Sequence, residues 1–257
     1  QEEGLKPFSF YMKGEKKMST ILRNKIADYL GKGTEIMFMG AGFNSLNEEP
    51  NAQTSSKTYI NEVNSTTRIT NYQPVFAYDS DFMKDEKAIY ELYLTGRNRR
   101  TGVDAEFDYY RVDLFEQVRG TSHYPARKMR VSNEVSSFEG EGGAEITVSG
   151  NLNQIGNHVD GVFDVATKNF IEEFKVTIAI ATPNFTATPN IGAPVGYSFK
   201  YKLDTKAIPI PASGTEATAF TKDLSGVGIS KGDNTHIMVV LVDGSNKIVA
   251  FGESEIK

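Results

Sequence analysis

VSNEVSSFEGEGGAEITVSGNLNQIGNHVDGVFD, residues Val131–Asp164, carries the alternation that decides the fold. Ile146, Val148 and Leu152 are apolar at even spacing, with Glu145, Thr147, Ser149 and Asn151 polar between them. A period of two is the mark of a strand with one buried face. The run Glu139–Gly143 (EGEGG) packs nothing and loses much entropy on ordering, so it reads as a loop between two strands. Gly156-Asn157 reads as a second turn, with a further strand beginning at Val159. The stretch therefore predicts three antiparallel strands at the centre of a mainly β chain.

Outward from this centre, Phe107–Val118 alternates Tyr110, Val112 and Leu114 with Arg111, Asp113 and Phe115, and predicts a long strand. Arg119–Pro125 reads as its turn and Ala126–Val135 as its partner. Phe170–Ala181 reads as the last strand of the unit. Upstream, Leu22, Ile26 and Leu30 recur at spacing four, which predicts a short helix over Thr20–Leu30. Ile36–Phe43 reads as a strand, and Asn44–Lys57, polar and interrupted by Pro50, as a long loop. Thr58–Tyr72 is β-branched but polar on both faces, which fits exposure to water as one strand or a strand pair. Ser80–Thr95 reads as the clearest helix: Ser80 or Asp81 as cap, Ala88, Ile89 and Leu92 as apolar face, Gly96 as terminator. Residues 1–17 read as a polar arm with a small apolar patch at Phe8, Phe10 and Tyr11. They lack the apolar segment of a signal peptide, and no run of about 18 apolar residues occurs anywhere in the chain.

The composition changes at Thr182, where TPNFTATPNIGAP carries three prolines and no charge. It reads as a linker or the leading strand of a second unit. Beyond it, Tyr197, Phe199 and Tyr201 share one face, Ile237–Val242 is a continuous apolar run, and Asp243–Asn246 marks a hairpin turn. The expected organisation is an arm at 1–17, a β-sandwich or open barrel with one flanking α-helix over 18–181, and a small immunoglobulin-like sandwich over 182–257. The last lacks the Cys…Trp…Cys signature, since the chain has neither Cys nor Trp.

Net charge is −5. Residues 182–257 hold seven basic and seven acidic residues, so the excess lies in 1–181, with 21 basic and 26 acidic. An acidic chain is a poor nucleic-acid binder. Arg97, Arg99 and Arg100 form a basic cluster, but Asp104, Glu106 and Asp108 follow at once, so a solvated or subunit-facing loop is the better reading. Glu139, Glu141 and Glu145 resemble paired carboxylates only in number; a solvated or subunit-facing loop is again favoured over catalysis. The loop Gly140–Gly143 lacks the Lys-Ser/Thr of a phosphate cradle. Zero Cys and three dispersed His (His123, His158, His236) make a metal site unexpected. The sequence thus predicts no enzyme and no cofactor. Asn64-Ser65-Thr66 and Asn184-Phe185-Thr186 match the glycosylation tripeptide, a pattern that arises often by chance.

Three blocks together resemble the major tail (tail tube) protein of tailed bacteriophages of Gram-positive hosts: Glu134–Asp164, Asn47–Ile89 and Gly96–Val118. The resemblance runs over roughly Met18–Ala181. It implies a tail-tube fold whose subunits form hexameric rings, stacked into a hollow tube in the virion through which genomic DNA passes. The implied partners are further copies of the chain and the tape measure, tail terminator and distal tail proteins, with DNA only as cargo. It implies a ring-stacking loop at Asn47, Glu48, Glu49, Asn51 and Gln53. A subunit-interface or lumen role then falls to Glu139, Glu141, Glu145, Arg97, Arg99 and Arg100. The alternative reading is a carbohydrate- or cell-surface-binding β protein, with Tyr197, Phe199 and Tyr201 as its sugar-stacking face or, more simply, as core.

Overall fold

The computed structural model describes residues 20–118, 122–224 and 228–256. The arm expected at 1–17 lies outside them. In chain order the first strands are β1 (Ile26–Lys32), β2 (Glu35–Phe38), β3 (Phe43–Glu49), β4 (Ala52–Lys57), β5 (Thr66–Tyr72) and β6 (Val75–Asp81). Helix α1 (Lys87–Arg97) follows, then β7 (Glu106–Asp113), β8 (His123–Glu139), β9 (Thr147–Asp164) and β10 (Asn169–Glu173). The remainder holds β11 (Val176–Ala181), β12 (Asn184–Pro189), β13 (Ser198–Asp204), β14 (Lys222–Asp223), β15 (Ile229–Ser230), β16 (His236–Val242) and β17 (Ile248–Glu255). The chain is mainly β, as its sequence predicts, with one α-helix among the described residues.

The hairpin β8–β9 is the spine. β9 pairs with β8 along nearly its whole length, and its other edge is divided. Thr147–Asn153 pairs with β6, and Gly161–Asp164 pairs with β10. The strand order β2–β1–β7–β8–β9–β6–β3 thus wraps one core, with β2 and β3 as its two ends. Met37 from β2 and Leu46 from β3 meet in that core with Leu30, Phe76, Tyr109 and Leu152, and Ala88 and Leu92 of α1 cover it. Each fully buried side chain of this size contributes about 1.5–3 kcal/mol by leaving water. Gly156-Asn157 is no turn. β9 runs through it, and the pairing steps from Lys128↔Val159 to Arg130↔Ile155. The left-handed Gly156 (φ 68°) shapes a bulge instead.

Three other expectations change. Thr20–Leu30 is not a helix: Ala27 and Tyr29 enter one core while Leu30 enters another, so both faces of β1 are buried and spacing four carries no meaning. The helix starts later than expected, at Lys87. Ser80 does not cap it; it lies buried in β6, and its hydroxyl donates to Val148 O at 2.9 Å. The closing strand expected over 170–181 is two strands in two sheets, β10 and β11.

β10 is the joint. It pairs antiparallel with β9 and parallel with β17, through Glu172↔Ala250 and Glu173↔Phe251. The sheet therefore continues without a break into β17, β16, β13 and β14. Close approach at the joint requires glycine. A Cβ on Gly161 would lie 2.3 Å from Ile171 O, and one on Gly252 2.3 Å from Phe174 O. A second sheet, β11–β12–β15, faces β16 and β17. Phe185, Val176 and Ile229 of one meet Ile237, Val239 and Leu241 of the other. The opposite face of β16 carries Met238 and Val240, which pack with Val162 and Ile171 of the first unit and Phe220 of the loop beyond β13. β16 is buried on both faces, which is why its sequence is a continuous apolar run.

Candidate functional site

After Pro50 the chain leaves the sheet. Asn51 takes a left-handed turn (φ 45°), and β4 and β5 pair with each other alone among the described residues. The register runs from Ala52↔Tyr72 to Lys57↔Thr66, and every residue of both strands is exposed. The sequence holds this arm together locally: Thr, Ile and Tyr suit extended backbone, and side chains bond across the strands. Ser56 and Thr67 share a hydroxyl bond of 2.8 Å, and Thr70 Oγ1 donates to Gln53 O at 3.1 Å. Gln73 N closes the base on Asn51 O at 3.2 Å. At the tip, Ile60 and Val63 are fully exposed and Tyr59 largely so. One face gathers Lys57, Arg68 and Tyr59 around a shallow hollow of about 220 Å³. A two-stranded ribbon with no core is at best marginally stable by itself, and this one carries exposed apolar residues at its tip.

The loop expected over 44–57 is thus β3 and β4. Asn47, Glu48 and Glu49 lie in β3, opposite Ala77, Phe76 and Val75. Asn51 makes the exit turn, and Gln53 sits at the root of the arm, its side-chain amide donating to Asn51 O at 3.1 Å. Glu48 has a different setting from its neighbours: it points into a charge network at the seam of the wrapped sheet. Arg127 binds it through both nitrogens, at 2.8 and 2.9 Å, and Arg111 Nε lies 3.4 Å away. Arg111 Nη1 makes no hydrogen bond among the described residues and is 3.9 Å from Asp28. Asp28, only 1% exposed, accepts from Arg23 and from Tyr109 Oη, each at 2.5 Å. The hydrogen bond from Arg127 holds the Glu48 carboxyl below its usual range against the opposing effect of burial. Burial, followed by the Asp28 charge, drives the Tyr109 hydroxyl well up. These groups come from β1 and the turn before it, β3, β7 and β8, so the network ties β3, one end of the strand order, to β1, β7 and β8 on the other side of the core. It is a structural clasp; a sequence in which Asp28, Glu48, Arg111 and Arg127 lie far apart gives no sign of it.

The remaining predicted residues stay on the surface. Glu139 ends β8, Glu141 lies in the β8–β9 turn and Glu145 just after it, all exposed. Arg97 ends α1, Arg99 takes a left-handed conformation (φ 53°), and Arg100 pairs with Glu91 at 3.2 Å. No ion pair joins the acidic loop to these arginines among the described residues. Nor does any group of three or more His, Asp or Glu there gather to hold a metal. His158 stands by Asp160 at 3.6 Å, and the His236 ring bonds the Thr235 hydroxyl at 2.8 Å. Phe199 and Tyr201 pack partly buried against the core between the two C-terminal sheets, so only Tyr197 of that stripe remains substantially exposed.

Residues 178–257 match the family model of the S-layer protein SbsC C-terminal domain. The match begins inside β11 and takes in all later strands. It points to a cell-surface protein and overturns the resemblance to a phage tail tube protein. The implied location in a virion tail goes with it, as do the tape measure, tail terminator and distal tail partners. What the match supports is the alternative, a cell-surface β protein. No curated protein matches the chain.

Proposed function

We propose that this chain is a non-enzymatic, structural cell-surface β protein that associates with copies of itself through the β4–β5 arm. The observation that carries the reading is the arm itself: two strands that among the described residues pair only with each other, and a tip whose Ile60 and Val63 are fully exposed. The match of residues 178–257 to the S-layer domain model supports the surface setting. In this reading the C-terminal unit is an immunoglobulin-like module, supported by its seven strands in two facing sheets. The packing of Phe199 and Tyr201 favours assembly over sugar stacking.

The test compares the full chain with a variant in which residues 53–71 are replaced by a two-residue turn. The arm contributes nothing to either core, so the body is retained. Sedimentation across a concentration series, with electron microscopy and co-pelleting on cell-envelope fragments, reads both parts of the proposal. Extended assemblies from the full chain and only small oligomers from the variant are expected. Equal assembly by both overturns the role of the arm, and failure to pellet with envelope fragments overturns the surface setting.

A further inference from the structure

β11 is a sheet edge left open. It pairs with β12 from Val176↔Pro189 to Ala181↔Asn184, and among the described residues nothing pairs with its other side. Its sequence, VTIAIA, holds no charge, no proline and no bulge. Edge strands with those features join other strands unless something prevents it. Every other outermost strand carries a guard. β14 and β15 are two residues long. β2 is four residues long and bears Glu35, which pairs with Lys87. β3 has a bulge near Phe43 and carries Glu48 and Glu49. The arm has a bulge after Gln53 and bears Lys57 and Arg68.

We infer that β11 pairs antiparallel with β11 of a second copy, about a two-fold axis perpendicular to the sheet. Such an axis keeps each face of the sheet on the same side in both copies, so only residues of like parity stand opposite each other. Val176 and Ile178 face the core, and by alternation so does Ile180, while Thr177, Ala179 and Ala181 face solvent. With Ala179 on the axis, Thr177 meets the partner's Ala181 and Ile178 meets the partner's Ile180. The pairing opposes no like charges and places two Ile–Ile contacts on the core side. Ile180 is 54% exposed and borders a hollow of about 220 Å³ beside Pro183, Phe185 and Ile256. The second copy gives this side chain a neighbour that its own sheet lacks. Two three-stranded sheets become one of six strands, with its edges at the two short β15 strands.

This surface is separate from the arm, so the two proposals fail separately. The chain has no Cys, which makes single-cysteine cross-linking clean. In the arm-deleted background, A179C bridged by a short bismaleimide is expected to give a covalent dimer. T188C, on the exposed face of β12 but away from the edge, is expected to give little at the same concentration. A179K sets two ammonium groups face to face on the axis and is expected to convert the arm-deleted dimer to monomer, with an unchanged melting temperature when dilute. Equal cross-linking at 179 and 188, or an arm-deleted A179K chain that sediments like its parent, overturns the inference. Loss of arm-driven assembly alone leaves it intact.

Discussion

The molecule contains two long hairpins built to one local plan and used in opposite ways. β8–β9 buries alternate residues over Met129–Asn133 and Val148–Leu152 and again buries Gly161–Phe163, whereas β4–β5 buries none. Both consist of extended, β-branched segments in antiparallel register. The difference is the apolar period. Val131, Val148 and Leu152 recur on one face and are drawn into the core, but Ala52–Lys57 and Thr66–Tyr72 offer Thr, Ser, Gln, Asn, Lys57 and Arg68 with single apolar residues between them. A hairpin with a continuous apolar face becomes a spine; one without it is left outside, available to another molecule.

The contrast breaks hardest on the spine. Leu152→Ala removes a fully buried side chain where β6, β8 and β9 meet, and is expected to cost about 2–5 kcal/mol in urea unfolding. Gly150→Ala on the same strand forces a Cβ to within 2.3 Å of Glu134 O and 2.6 Å of the Tyr78 hydroxyl oxygen, with an expected loss of about 1–3 kcal/mol. A smaller effect comes from the clasp between β3 and β8. The folded Glu48 carboxyl titrates below its unfolded value, so its contribution is complete above the ordinary glutamate range and is lost as pH falls through the folded value. Stability measured from pH 7 down to pH 3 is expected to fall less steeply in E48Q than in the parent. Smallest of all, Ile60→Ser with Val63→Ser at the arm tip is expected to change unfolding stability by no more than about 0.5 kcal/mol, while weakening assembly in sedimentation. A large stability loss there would show that the tip packs on its own body.

The same contrast explains what was legible in the sequence. Alternation exposed the spine, and the polar, β-branched run at 58–72 foretold exposure, although only Thr66–Tyr72 of it is strand and 58–65 is the loop at the arm's tip. The helix face Ala88, Ile89 and Leu92 was readable because its period is 3.6 and only one side is buried. β1 was misread because residues on both its faces are buried, which erases any period. Gly156-Asn157 was misread because a left-handed glycine serves a bulge as well as a turn. The clasp was invisible, since its members meet only after β3 closes on β7 and β8. The open edge of β11 was hidden for a related reason: VTIAIA looks like any strand until the pairing shows that one side has no neighbour.

The joint at β10 has a mechanical consequence. One hydrogen-bonded sheet runs from β2 to β14, so a force applied across the two units is carried along backbone ladders rather than through a flexible tether. Along that path the ladder narrows to the short parallel pairing of Glu172 and Glu173 with Ala250 and Phe251. That rung is backed by Val162 and Ile171 against Met238 and Val240, so a load across the joint falls on two backbone pairs and on the apolar contacts the two units share behind them.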